Sequence, residues 1–167
     1  MKGLVVAALG LFLAFQALSA RADDASLSPQ ANAAYLAANA KKPGVIVTPS
    51  GLQYRIIQSG FGKRPVGTDI ATVSYKGMLI NGKVFDATEE DLPAQFEVGR
   101  LIPGWTEALE MMREGDKWEL VIPANLAYGD RGAGSAIGPG QTLVFDLHLI
   151  SVTTPPPDHS KDDQQNQ

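Results

Sequence analysis

The chain has 167 residues, room for one ordinary domain of about 100–150 residues with short extensions. Hydrophobic residues make up 44% and charged residues 19%, a globular composition that excludes a wholly disordered chain. A formal charge of -4 gives no broad attraction to nucleic acid or anionic lipid, and the lack of cysteine excludes disulfides, thiol catalysis and cysteine-based metal sites.

In chain order, Met1-Lys2 leads into an apolar run from Leu4 to Leu18 and then Ala20-Arg21-Ala22, a small-x-small cleavage site. Residues 1–22 are therefore expected to be a signal peptide, with an exported mature chain starting at Asp23 and a bacterial periplasm as the first destination considered, full secretion being the other. The run of about 15 apolar residues is short of the roughly 20 that cross a bilayer as a helix. Ser28-Pro29 can cap and open a helix, and Ala31–Lys42 is rich in helix formers before Pro43-Gly44 stops it. Only Tyr35, Leu36 and scattered alanines give this helix an apolar face. Residues 23–49 therefore read as a short helical leader and linker, either a frayed spacer or a dimerisation remnant, and a monomer is expected.

Leu52-Gln53-Tyr54-Arg55-Ile56 alternates, and Ala71, Val73, Tyr75, Gly77 and Leu79 repeat at period two, so both stretches read as half-buried strands. Asn81-Gly82 signals a two-residue type I′ hairpin leading to a strand from Lys83 to Asp86. The acidic run Glu89, Glu90 and Asp91 reads as a solvated loop. A helix starts near Pro103, with Trp105, Ala108, Leu109 and Met112 as its apolar stripe and Gly115 as its left-handed terminator. Trp118, Leu120 and Ile122 alternate, as do Leu143, Phe145, Leu147 and Leu149, and Gly129–Gly140 between them reads as a long hairpin loop. The sum is an α+β domain over residues 50–153, an antiparallel sheet of about five strands around one short helix. Residues 154–167, with Pro155-Pro156-Pro157 and then Asp, Lys, Gln and Asn, read as a disordered tail.

Ordinary catalytic kits are hard to assemble from this chain. His148 lies in an alternating strand and His159 in the tail, while Ser74, Ser135 and Ser151 have no base placed beside them. Gly129-Asp130-Arg131-Gly132-Ala133-Gly134 lacks the strand-turn-helix setting and the Lys-Ser/Thr ending of a phosphate loop. Metal-ligand spacing is absent, so neither metal nor cofactor is expected. There remain aromatic and apolar residues at the ends of elements, which taken alone would be read as core.

Five separated blocks decide between core and site. Val73-Ser74-Tyr75-Lys76-Gly77-Met78-Leu79, Gly82-Lys83-Val84-Phe85-Asp86, Leu101-Ile102-Pro103-Gly104-Trp105, Leu126-Ala127-Tyr128-Gly129 and Thr142-Leu143-Val144-Phe145-Asp146 resemble, in order, the signature blocks of FKBP-type peptidyl-prolyl isomerases. The stretch from Asn39 to Tyr54 is also similar to the bacterial exported members of the macrophage-infectivity-potentiator and FkpA-like group, in which a longer N-terminal helical region makes a dimer. The resemblance implies an FKBP-like fold and a pocket walled by Tyr75, Phe85, Phe96, Trp105 and Phe145, with Trp105 beneath the prolyl ring. Leu101 and Ile137 would add apolar contacts at the rim, and Ala127 would shape a wall. Asp86 would be a buried carboxylate, and the Ile102 N–H and the Tyr128 hydroxyl would hydrogen-bond the substrate's carbonyls. The sequence departs from the pattern at Ala94, at Gly138 and in the short acidic loop after Asp86, which offers that carboxylate no arginine.

By the same resemblance, the activity is peptidyl-prolyl isomerisation of unfolded or exported proline-containing polypeptides, with FK506- or rapamycin-type macrolides as inhibitors. The other reading is a periplasmic chaperone or peptide-binding module that keeps the fold but catalyses little. Nucleic acid is not an expected partner.

Overall fold

The computed structural model describes residues 24–89 and 91–156. The expected signal peptide, Glu90 of the acidic run and most of the expected tail lie outside the described residues. The described chain runs α1 (Pro29–Asn39), β1 (Ile46–Val47), β2 (Gln53–Gln58), β3 (Ile70–Leu79), β4 (Val84–Ala87), β5 (Ala94–Glu97), α2 (Pro103–Met111), β6 (Lys117–Ile122) and β7 (Leu143–Thr153). No helix among the described residues is long and apolar enough to cross a membrane.

The strands form one antiparallel sheet in the order β1-β2-β6-β7-β3-β4, with β5 also on β3. The five expected strands are β2, β3, β4, β6 and β7. The two missed strands carry little pattern: β1 has two residues, both exposed, and β5 has Phe96 as its only large apolar side chain.

Trp105, Ala108, Leu109 and Met112 of the α2 stripe are all buried and join Val73, Leu120, Ile122, Leu147 and Leu149 in one core. α2 stops earlier than expected, because Met112 already adopts an extended backbone (ψ 163°) while its side chain enters the core. Gly115 does have a positive φ, 91°, but serves a later turn in which Arg113 N–H donates to Asp116 Oδ2 at 2.7 Å.

The hairpin after β3 forms where expected, with a different turn. Among the described residues positive φ is confined to glycines, so Asn81 cannot occupy a type I′ position. Gly82 N–H instead donates to Leu79 O at 2.9 Å, Leu79 N–H to Lys83 O at 2.9 Å, and Gly82 carries φ 83°. This is the three-residue loop closed by a left-handed glycine, and the Asn81 side chain favours it by accepting Lys83 N–H at 3.0 Å.

α1 is a docked element rather than a frayed spacer. Ser28 caps it by accepting Ala31 N–H at 3.2 Å, with Pro29 in the first turn. Its hold on the domain is polar, which is why an apolar face was hard to find in the sequence: Asn32 and Asn39 are its buried side chains. Asn39 donates to Gln53 Oε1 at 2.9 Å, and Gln53 Nε2 donates back to Leu36 O at 3.0 Å. Gln53, Val121 and Val144 form one buried rung across β2, β6 and β7, so the polar position of the β2 alternation is covered too.

Thr154, the first residue of the expected tail, is also fastened. It donates to Asp69 Oδ1 at 2.7 Å, and the same buried carboxylate accepts Val66 N–H at 3.0 Å and pairs with Lys63 at 3.1 Å. These bonds, that from Thr154 first, hold the Asp69 pKa below its ordinary 3.8. The resulting stability is present above 3.8 and is lost as pH falls through the lower folded value. Urea unfolding at about pH 5 and about pH 3 should show this loss, and Asp69→Asn should show a smaller difference between the two pH values.

Candidate active site

The antiparallel register brings aromatic rings from distant segments to one end of the sheet. Tyr75 lies opposite Leu147, Gly77 opposite Phe145 and Ala71 opposite Phe96, all on the face that packs against α2. α2 adds Trp105 from its first turn, and the segment leading into it adds Leu101 and Ile102. Neighbouring strand residues face opposite ways, yet Phe85 and Asp86 both reach the site. A β-bulge allows this: Gly77 pairs with Asp86 but Met78 with Val84, leaving Phe85 as the extra residue.

Tyr75, Phe85, Asp86, Phe96, Leu101, Ile102, Trp105, Tyr128 and Phe145 line one cleft of about 190 Å³. Trp105 meets Tyr75 edge to face at 5.1 Å between ring centroids, Phe145 at 5.2 Å and Phe96 at 6.0 Å. Phe85 meets Phe145 in the same way at 5.6 Å. Each such contact is worth about 0.5–1.5 kcal/mol beyond area burial, so the rings brace one another. Ala127 and Ile137 do not line the cleft. Ile137 is buried in the core, paired through both backbone groups with Ala133, and Ala127 packs against that core.

Three polar groups face this apolar box. Asp86 is exposed rather than buried, because β4 is the last strand of the main sheet order and the hydrogen bond that holds the carboxylate comes from Tyr75 Oη, at 2.6 Å. Burial, and then the bond to Asp86, raise the Tyr75 pKa well above the usual phenol value, so its hydroxyl stays a donor. Ile102 is the N-cap of α2, and its carbonyl accepts Trp105 N–H at 2.9 Å and Thr106 N–H at 3.1 Å. Its own N–H has no acceptor among the described residues, and the half-exposed Tyr128 hydroxyl has no partner there either. Removing the Tyr75 hydroxyl with Tyr75→Phe should cost about 1 kcal/mol or less in thermal or urea unfolding, since water can replace the bond to exposed Asp86.

Two supporting residues escaped the sequence reading. Thr88 Oγ1 accepts Tyr75 N–H at 3.0 Å while Thr88 N–H donates to Tyr75 O at 3.0 Å, which fixes the strand where the Tyr75 ring projects. At Gly77 an added Cβ would stand 2.7 Å from Phe145 Cε1 and 2.7 Å from Phe85 Cζ, so these rings pack where a side chain would be. A lone glycine inside a strand pattern signals such a close approach.

The family model for FKBP-type peptidyl-prolyl cis-trans isomerase matches residues 62–150, and the one for the domain amino terminal to it matches residues 7–56. The chain is 56% identical over 120 residues to outer membrane protein MIP of Legionella longbeachae, covering 71% of this chain and 52% of that protein. It is 53% identical over 119 residues to the FKBP-type 22 kDa peptidyl-prolyl cis-trans isomerase of Escherichia coli, covering 71% of this chain and 58% of that one. The chain thus spans about half the length of the curated relatives it matches. Among solved structures, FkpA from Escherichia coli superposes with a TM-score of 0.72 at 41% identity, over 75% of this chain and 59% of that one. The peptidyl-prolyl cis-trans isomerase of Pseudomonas syringae pv. tomato gives 0.70 at 39% identity, over 74% of this chain and 92% of that one. With sheet, aromatic cleft and family model coinciding over β3 to β7, the chain belongs to the FKBP-type peptidyl-prolyl cis-trans isomerase family.

Proposed function

We propose that this protein is a peptidyl-prolyl cis-trans isomerase that speeds X–Pro rotation in exported, incompletely folded polypeptides, the prolyl ring sitting on Trp105. The observation that carries this is the braced aromatic cleft with two unused donors, Ile102 N–H and Tyr128 Oη, at its edge. Twisting an X–Pro amide crosses a barrier of about 18–20 kcal/mol because resonance is lost on the way. The twisted amide has a less polarised carbonyl than the planar one, so an apolar box disfavours the ground state more than the transition state. No bond breaks, and walls replace nucleophiles. A rate gain of about 10⁵ needs about 7 kcal/mol of such difference.

In this reading Tyr75, Phe85, Phe96, Leu101, Trp105 and Phe145 are the walls and floor. Ile102 N–H and Tyr128 Oη hold the peptide carbonyls on either side of the proline. Asp86, steadied by Tyr75, orients the polar end of the substrate and loses its solvent exposure when a peptide covers the cleft. Ala127 and Ile137 act from behind, by backing the loop that carries Tyr128. Glu89 and Asp91, in the acidic loop that follows Asp86 in the chain, disfavour peptides with acidic residues near the proline. FK506- and rapamycin-type macrolides occupy the same cleft and compete with substrate. Residues 1–22 direct export to the periplasm, residues 50–153 form the isomerase domain, and the docked α1 fits a monomer.

A protease-coupled assay with an X–Pro peptide tests the reading. Acceleration at micromolar or lower protein, abolished by a macrolide, is the expected result. An uncatalysed rate with intact peptide binding would replace it with the binding-module reading.

A further inference from the structure

We infer that Asn32 of α1 and Gln141, two residues before β7 begins, are positioning residues for Tyr128, so that the leader helix sets the geometry of the cleft's hydroxyl donor. This rests on the isomerase reading of the cleft. Asn32 and Gln141 are 4% and 8% exposed. Asn32 Oδ1 accepts Thr142 N–H at 2.8 Å, and its Nδ2 donates to Ser28 O at 3.0 Å, Leu27 O at 3.1 Å and Gln141 Oε1 at 3.4 Å. Gln141 Nε2 in turn donates to Leu27 O at 3.0 Å and to Pro139 O at 3.1 Å. The amide of one residue and the backbone of the next are therefore both tied to the start of α1.

That anchor sits at the root of the loop between β6 and β7, which carries Tyr128. One residue before Gln141, Gly140 N–H donates to Gly129 O at 2.9 Å and closes the loop on the neighbour of Tyr128. A continuous bonded route thus runs from Asn32 through residues 142, 141, 140 and 129 to Tyr128. A fold staple alone does not need it, because Asn39 and Gln53 already dock the other end of α1 through two hydrogen bonds. Burying a second amide costs desolvation, and a fully bonded buried network contributes a unique arrangement more than net stability. Here the arrangement it fixes is the loop backbone that holds Tyr128.

The experiment compares Asn32→Leu with Asn39→Leu in the full chain, using Gln141→Leu as a second lesion of the same anchor should Asn32→Leu fold poorly. Asn32→Leu should lower kcat/KM about 10-fold and speed amide exchange at Gly140 and Thr142. Asn39→Leu should unfold more easily yet keep both kcat/KM and that exchange. In a double-mutant cycle, adding Tyr128→Phe to Asn32→Leu should lower the rate no further than Tyr128→Phe alone, because the anchor acts through that hydroxyl. Unchanged exchange at Gly140 and Thr142, equal rate losses from Asn32→Leu and Asn39→Leu, or fully additive losses with Tyr128→Phe would overturn the inference. An inactive parent protein would defeat the isomerase reading instead, and the exchange comparison would still decide whether the anchor holds the loop.

Discussion

Trp105→Leu is expected to lower kcat/KM for an X–Pro peptide at least about 100-fold while the protein stays folded. That factor corresponds to about 2.7 kcal/mol of transition-state stabilisation. Trp105 is the hub of the aromatic box, in edge contact with Tyr75, Phe96 and Phe145, and is 4% exposed. Leucine would leave a void beneath the prolyl ring, let Tyr75 and Phe145 sag towards it, and admit water to the surface that must stay dry. Losing so large a buried side chain should also destabilise the fold by about 2–4 kcal/mol. The other tryptophan, Trp118, stacks on Tyr54 at 4.4 Å and gives a fluorescence probe that the substitution does not touch. A variant with native Trp118 emission and full activity would remove the cleft floor from the mechanism.

The second large effect is Gly77→Val, for which propensity and packing predict opposite outcomes. Valine favours strands over glycine, so a rule based on β3 alone predicts a more stable protein. The added Cβ would instead stand 2.7 Å from two rings, and overpacking of that kind costs about 1–3 kcal/mol. Phe145 is held in the core, 4% exposed, whereas Phe85 is half-buried on β4. Phe85 is therefore the ring that gives way, into the cleft it lines. Gly77→Val should melt at a lower temperature and lose about 50-fold or more in kcat/KM, with Gly77→Ala following in the same direction to a smaller extent. Raised stability with unchanged activity would mean that the two rings do not pack over Gly77.

Much of this architecture could be read from residue patterns because it depends on local periodicity. β2, β3, β6, β7 and α2 repeat apolar residues at the spacings of strands and helices, and most residues so marked are buried, Ile56 at the exposed end of β2 being the exception. The aromatic cleft was readable through the resemblance of five ordered blocks, and nine of the proposed residues do meet in one place. What escaped depends on tertiary placement. Asp86 is exposed because β4 ends the sheet, and it shares the cleft with Phe85 because of a bulge that residue types do not announce. With only Tyr35, Leu36 and alanines as apolar residues, α1 reads as a spacer, whereas its two buried asparagines are the groups that dock it. Asn81-Gly82 suits more than one tight hairpin, and the bond from Lys83 N–H to Asn81 Oδ1 belongs to the longer of them.

In the proposed mechanism X–Pro rotation is accelerated inside this cleft by apolar walls and two fixed donors. Exchange NMR on a proline peptide, with the Ile102 amide and the Trp105 indole N–H followed in the same sample, tests it most directly. Cis–trans exchange of the peptide should rise with catalytic amounts of protein. Both reporter signals should shift on titration, and a macrolide should reverse both effects. Acceleration without any shift at Ile102 or Trp105, or saturating shifts there with exchange left at the uncatalysed rate, would contradict it.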